Sequence, residues 1–284
     1  MQFANGKGGR ICSTEGARDW TDRFAGIMEL KPCDSNDLPF YLFYRNDSRI
    51  SETPTEFIKD TLGGKGLTEI KWQPRRIGPI SIFSNNQTSD LVCEIGSDAS
   101  FEDSIYSMWY SLYPFYRHIL SFGGVPFHAG LVEWNGRGIL FTAPGGTGKS
   151  TTISRLPPDW SMHCDDEVLI IRDIQNRYVA HPFPTWSNFF LNQQPKSWIV
   201  ESSLPISAVF FLIQAETDDI KPIGSGTATV LINQAGRQIL RRAWNLEISV
   251  EQLELRRKLF ELSCELAKTV PCYMLNISLT GNFW

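Results

Sequence analysis

The sequence predicts an α/β protein with a mixed sheet, preceded by a smaller N-terminal domain of α/β or β-rich character. Three observations predict it. Beyond residue 100, apolar runs with strand character (FHAGLVEWNGRGILFTA, EVLIIR, ISAVFFLIQ) alternate with helical patterns. One of these runs leads directly into a glycine-rich turn, APGGTGKS, which is followed by a short helical stretch. The first 100 residues differ in texture, with turn-rich CDSNDLP, RNDSRISETP and LGGKG separating short apolar runs such as FYLFY, ISIF and LVCEI. A boundary at residue 100 therefore separates an accessory or substrate-binding domain (1–100) from a catalytic domain (101–284).

Composition narrows the function classes. With 284 residues the chain can bury a sizeable core. It has no apolar run of about 18 residues or more, so no membrane partner is expected, and its start lacks a secretory signal pattern, which places it in the cytoplasm. The net charge of −4 and the scattered basic residues, paired only at Arg75-Arg76, Arg241-Arg242 and Arg256-Arg257, give no footprint for a nucleic acid. Six cysteines without C-x-x-C spacing read as reduced thiols.

The elements follow in order. SIYSMWYSLYPFYRHILSF is apolar around much of its circumference and predicts a buried helix from Asp103 to about Phe122, with Pro114 inside it. Asn135-Gly136 joins two strand runs and suits the positive φ angles of a type I′ hairpin. The second strand, Gly138 to Thr142, enters the glycine-rich turn, and Lys149 to Leu156 forms a short helix stopped by Pro157-Pro158. Glu167–Arg172 and Tyr178–His181 are a strand pair around DIQNR, and Ile206–Gln214 is a buried central strand. Residues from Thr227 begin a helix, Gln252–Lys268 form another with Leu253, Leu255, Leu259 and Leu262 near one face, and Pro271–Ser278 close as a strand.

The turn carries the chemistry. Ala143 to Ser150 has Walker A spacing with Ala in place of the first Gly. Gly145, Gly146 and Gly148, with Thr147 among them, let successive N–H groups converge on phosphate oxygens, and the helix that begins with Lys149, Ser150 and Thr151 turns its positive end toward the same anion. Lys149 adds charge on the β and γ phosphates, and the Ser150 hydroxyl is placed for Mg²⁺. Asp165 follows only 16 residues after Lys149, closer than in most phosphate-loop proteins. If His163-Cys164 ends a strand, Asp165 and Asp166 sit beside the phosphates, one to hold Mg²⁺ and one to accept a proton. An acidic surface turn is the plainer alternative. His128, 21 residues before Lys149, reads by itself as a core histidine. A metal cluster of His163, Cys164 and Asp165 is disfavoured, since alternate strand residues face opposite ways.

Taken together, FHAGLVEWNGRGILFTAPGGTGKSTTISRL, HCDDEVLI and VPCYMLNI resemble the HPr kinase/phosphorylase family, whose fold is shared with phosphoenolpyruvate carboxykinase, over roughly residues 105–280. The resemblance implies a P-loop mixed-sheet kinase domain that transfers the γ-phosphoryl group of ATP, with Mg²⁺, to a serine hydroxyl. It assigns Asp165 as base, Asp166 and Ser150 as Mg²⁺ ligands, Lys149 as phosphate clamp and His128 as a group near Asp165 or the metal, and it raises a homo-oligomer as an expectation. Thr151 stands where HPr kinases usually carry Glu, and the first 100 residues differ from their N-terminal domain, which points away from HPr as acceptor. The chain is more similar to HPr-kinase-like proteins of peptide natural-product clusters, including the SynChlorMet cassette type, for which a serine-containing peptide or small protein is the implied partner. In these relatives a Pro-rich stretch follows the aspartates, and AHPFPTWSNFF resembles it here, either as a lining of the acceptor pocket or equally as a surface loop anchored by its aromatics. Two other readings stand beside the kinase: a nucleotide-binding accessory module without transfer, and a phosphoenolpyruvate carboxykinase-like enzyme, for which the chain is short.

Overall fold

A computed structural model describes the chain apart from residues 33–36, 46–53, 55–56, 59–68, 98–99, 192–195, 242–249 and 284. Cys33 and most of CDSNDLP, RNDSRISETP and LGGKG lie outside the described residues, as does Arg242. The protein is mixed α/β and divides into two compact units. One comprises Met1–Gln2, Lys7–His118 and Trp186–Ser197, the other Phe3–Gly6, Ile119–Thr185 and Trp198–Trp284. Among the described residues no helix is long and apolar enough to cross a membrane.

The first unit holds β1 (Arg10–Ser13), α1 (Arg18–Ile27), β2 (Phe40–Arg45), β3 (Gln73–Ile77), β4 (Ile80–Ser84), β5 (Leu91–Ile95) and most of α2 (Phe101–Ser121). Its sheet runs β1-β2-β5-β4-β3, with β2 parallel to both neighbours. A strand covered on both faces reads as a continuous apolar run, and FYLFY is such a run. Its alternate residues serve the two faces. Phe40, Leu42 and Tyr44 join Trp72, Phe83 and Val92 in one core. Tyr41 lies against Phe115 of α2 with ring centroids 4.1 Å apart, and Phe43 against Trp20 of α1 at 4.9 Å. Trp20 also donates its indole N–H to Ser107 Oγ of α2 at 2.9 Å. Pro114 lies inside α2 without ending it.

The second unit holds β6 (Val125–His128), β7 (Gly130–Trp134), β8 (Arg137–Thr142), α3 (Lys149–Ser154), β9 (Ser161–Cys164), β10 (Glu167–Arg172), β11 (Tyr178–Pro182), β12 (Leu204–Gln214), β13 (Asp219–Pro222), α5 (Ser225–Leu240), α6 (Val250–Thr269) and β14 (Cys272–Ile277); α4 (Ser187–Leu191) belongs to the first. Its strands follow the order β6-β10-β11-β12-β8-β7-β9, with β14 also on β12 and β13 on β14. Pairings of β12 with β8 and β14 are parallel and the others antiparallel, so the sheet is mixed. The β7–β8 turn has Asn135 at φ 51° and Gly136 at φ 74°, as a type I′ hairpin requires. α3 packs on this sheet through Ile153, which shares a core with Val132, Ile139, Phe141, Leu212 and Leu275.

One reading of the sequence is corrected. Leu253 does not face the core: it is 53% exposed, while Leu259, Leu262, Ser263 and Leu266 are buried. At about 100° per residue Leu253 falls well off the line of Leu259, whereas Gln252, seven residues before it, falls on that line and is buried instead. In the stretch AHPFPTWSNFF, His181, Phe183 and Trp186 are fully buried anchors, whereas Phe189 lines a cavity with Arg23, Ile27 and Phe101.

His181 is held at both ring nitrogens, at 2.9 Å from the Val200 carbonyl through Nδ1 and accepting from the Ala4 N–H through Nε2 at 3.3 Å. That pattern needs a neutral ring, and burial pushes its pKa down to about 4. The unfolded chain binds a proton here below about pH 6.5 and the folded chain does not until about pH 4, so this group's contribution to stability falls as the pH drops through that window. The expected loss is roughly 3 kcal/mol between pH 6.5 and 4. Urea midpoints measured across that range should fall in the wild type, and the slope should be clearly shallower in His181→Gln.

Candidate phosphate-binding site

The site is built from a loop and a ribbon. The loop leaves β8 at Thr142 and reaches α3 at Lys149, with Gly146 at φ 80° and Gly148 at φ 94°. Side chains rarely tolerate that left-handed conformation. Nothing lies within 4 Å of where a Cβ would stand on Gly145, Gly146 or Gly148, so the loop borders open space at these three residues. The loop is braced from below. Thr147 donates its N–H and hydroxyl to the Pro144 carbonyl at 3.3 and 2.8 Å, Thr152 Oγ1 donates to the Gly148 carbonyl at 2.9 Å, and Gln214 at the end of β12 donates to the Thr147 carbonyl at 3.2 Å.

The ribbon is a pair of antiparallel segments, β6–β7 against β9–β10. His128 pairs with Glu167 and Leu131 with Cys164, leaving two residues on each segment between these pairs. The register therefore continues through the gap. It sets Ala129 opposite Asp166, confirmed by the Ala129 N–H bond to the Asp166 carbonyl at 3.2 Å, and Gly130 opposite Asp165. Asp165 is fixed on its other side by its own N–H, which donates to Thr185 Oγ1 at 3.0 Å.

Loop and ribbon meet at Lys149, which is 8% exposed. Its Nζ lies 2.8 Å from Asp165 Oδ1 and 3.6 Å from Asp166 Oδ1. The structure thus gathers Lys149, Asp165 and Asp166 from two separate elements. His128 joins them: its backbone carbonyl accepts from Thr142 Oγ1 at 2.7 Å, and its imidazole senses all three charges. Burial and then the Lys149 charge lower the His128 pKa, against weaker opposing pulls from Asp166 and Asp165, so the ring is neutral at pH 7. Ser150 and Thr151 are exposed in the first turn of α3. His163 and Cys164 do not form a metal cluster with Asp165. His163 Nε2 lies 2.8 Å from Glu133 Oε2, while the buried Cys164 thiol, its pKa pushed up to about 12, donates to the Glu167 carbonyl. No group of three or more potential metal ligands occurs among the described His, Cys, Asp and Glu residues.

Sequence reasoning missed three supporting residues. Gly130 admits the Asp165 carboxylate and the Ile153 side chain, since a Cβ there would stand 2.1 Å from Ile153 Cδ1 and 3.3 Å from Asp165 Oδ1. Thr185 and Gln214 brace Asp165 and the loop from distant parts of the chain. The strand-flanked glycine was visible as a strand interruption, a signal of close approach; the other two carried none.

Fold and site define an α/β protein whose mixed sheet carries a strand, glycine loop and helix beside a carboxylate pair. The chain belongs to the family of the SynChlorMet cassette protein ScmC, whose model matches residues 91–284. No curated protein matches it. Among solved structures it is similar to the Hpr(Ser) kinase/phosphatase from Coxiella burnetii, with 12% identity and a TM-score of 0.23 over 34% of this chain and 77% of that one, a likeness too slight to bear on the site.

Adding a methyl group at Gly130 must displace Ile153 or tilt α3. Gly130→Ala is expected to lose about 1–3 kcal/mol of stability. Trimming the opposing atom with Ile153→Val should make the double variant more stable than Gly130→Ala alone, as thermal or denaturant unfolding would record.

Proposed function

We propose that the protein is an ATP-dependent serine kinase of the HPr kinase-like type, acting on a serine-containing peptide or small protein. The observation that carries this reading is Lys149, nearly buried at the mouth of an open glycine loop with a carboxylate 2.8 Å from its ammonium and a second at 3.6 Å. Phosphoryl transfer needs little covalent chemistry from a protein. It needs phosphates held in place, charge neutralised and a proton accepted from the attacking hydroxyl.

Each requirement has a candidate. In this reading the backbone N–H groups from Gly145 to Ser150, other than that of Thr147, which is bonded to the Pro144 carbonyl, bind the phosphates of ATP, with Thr151 following them. Lys149 holds the β and γ phosphates. Ser150 and Asp166 would offer hard oxygen ligands, donors that suit Mg²⁺, and when bound this ion would neutralise phosphate charge. Asp165 accepts the proton of the acceptor serine as its Oγ bonds to the γ-phosphorus and the bond to the bridging oxygen breaks, giving phosphoserine and ADP. Neutral His128 positions Asp166 through its backbone. Residues 1–100 are taken as an accessory or substrate-binding domain, and the compact unit that contains them runs on to His118 and takes in Trp186–Ser197.

One observation favours a second reading, a nucleotide-binding module without transfer: the Asp165 oxygen that would accept the proton is already engaged by Lys149. The two readings separate in an assay of labelled γ-phosphate transfer from ATP with Mg²⁺ to serine peptides encoded near the gene, with HPr as a control acceptor. The wild type is expected to label a peptide serine. Asp165→Asn should keep ATP affinity within about threefold and lose transfer by about a hundredfold or more, and Lys149→Ala should lose ATP binding. Undiminished transfer by Asp165→Asn removes the base from this residue. ATP binding with no transfer to any acceptor selects the module.

A further inference from the structure

Beside the loop lies a cavity of about 640 Å³. Gly146, Thr147 and Gly148 line it together with Thr151 and Arg155, and residues 277–279, the last of β14 and the two that follow, are part of its wall. That wall is unusually well fixed for a chain segment beyond the last strand. Arg155 Nη1 donates to the Ser278 carbonyl at 2.7 Å, its Nη2 donates to the Gly281 carbonyl, and its guanidinium lies over the Phe283 ring at 5.7 Å. Asp218 accepts the Ser278 N–H at 2.5 Å, and Ser278 Oγ accepts the Gly281 N–H at 2.8 Å. Yet Leu279, in the middle of this pinned segment and lining the cavity, is 89% exposed.

A backbone held at four points normally turns its large apolar side chain inward, because burying it is favourable. Here the restraints hold Leu279 out beside a space whose far end is the phosphate-binding loop. A flat apolar group attached to phosphates is what such a wall would cover. The rim also supplies polar edges: Gln214 and Glu216 line the same cavity, and a carboxylate accepts from an exocyclic base amine.

We infer that residues 278–283, pinned by Arg155, form the wall of a nucleoside pocket, with Leu279 packing on a purine base whose phosphates lie in the glycine loop. Arg155 acts as a positioning residue: its side chain holds the wall and does not touch the reacting atoms. The inference rests on the phosphate-loop reading above and adds the site for the other end of the same ligand.

The test compares two probes, ATP and inorganic tripolyphosphate, by calorimetry on wild type, Leu279→Ser, Arg155→Gln and Lys149→Ala. Loss of one apolar contact on the base should raise the Kd for ATP about fivefold in Leu279→Ser, and loosening the wall should raise it about tenfold in Arg155→Gln, while tripolyphosphate affinity stays within about twofold. Lys149→Ala should weaken both probes. Unchanged ATP affinity in Leu279→Ser, or an equal loss of both probes in either wall variant, overturns the pocket. Tripolyphosphate binding that ignores Lys149→Ala overturns the phosphate-loop reading instead, and a wild type that binds neither probe overturns both. Because Leu279 is exposed, its variant folds as the wild type does, so its result stands even if Arg155→Gln is unstable.

Discussion

The site depends on one constraint, the unbroken register between β6–β7 and β9–β10. Because the pairing resumes in the same register on either side of this gap, the two aspartates stand opposite Ala129 and Gly130, the smallest pair of residues the ribbon could offer them. A one-residue slip would send every side chain of the segment to the other face and carry Asp165 away from Lys149. The irregularity the ribbon does contain comes later, between Leu131 and Val132, beyond the aspartates. Placed there, it leaves the carboxylates in step with the loop.

Lys149 is the electrostatic consequence of that register. Its ammonium is taken largely out of water, which is costly for a charge without partners. Asp165 offsets the cost at hydrogen-bond distance, and Asp166 adds a second negative charge slightly farther off. The same three charges set the state of His128, which burial and the lysine together keep neutral. A cluster with two carboxylates and one ammonium carries an excess of negative charge.

Rigidity is distributed unevenly around this cluster. The loop is cross-braced by Thr147, Thr152 and Gln214, and the segment after β14 by Arg155 and Asp218, so two walls of one cavity are held by side-chain bonds to backbone rather than by sheet or helix. Such bonds preserve a concave surface that packing alone would collapse.

Much of this was legible in the sequence. Asn135-Gly136, the glycines of the loop and the strand ending at Cys164 just before the aspartates could all be read, because each is a local preference: φ angles that Gly and Asn tolerate, and apolar runs that pack in a sheet. Helical facing was read less well at Leu253, where several leucines close in sequence suggested a single stripe that the 100° spacing does not allow. The burial of His181, Phe183 and Trp186 was hidden for another reason, since Pro-rich aromatic segments look alike whether they coat a pocket or fill a core. Arg155 gave no signal at all; its carbonyl partners lie 123 and 126 residues away. The sequence by itself therefore determined the pieces, a turn able to wrap an anion and charged residues able to serve it, because backbone conformation is dictated by near neighbours. Only the tertiary structure decided that Lys149 meets Asp165, that Gly130 makes room for them and that Arg155 fixes the far wall, because strand register and long-range contacts arise from packing among residues no local pattern connects.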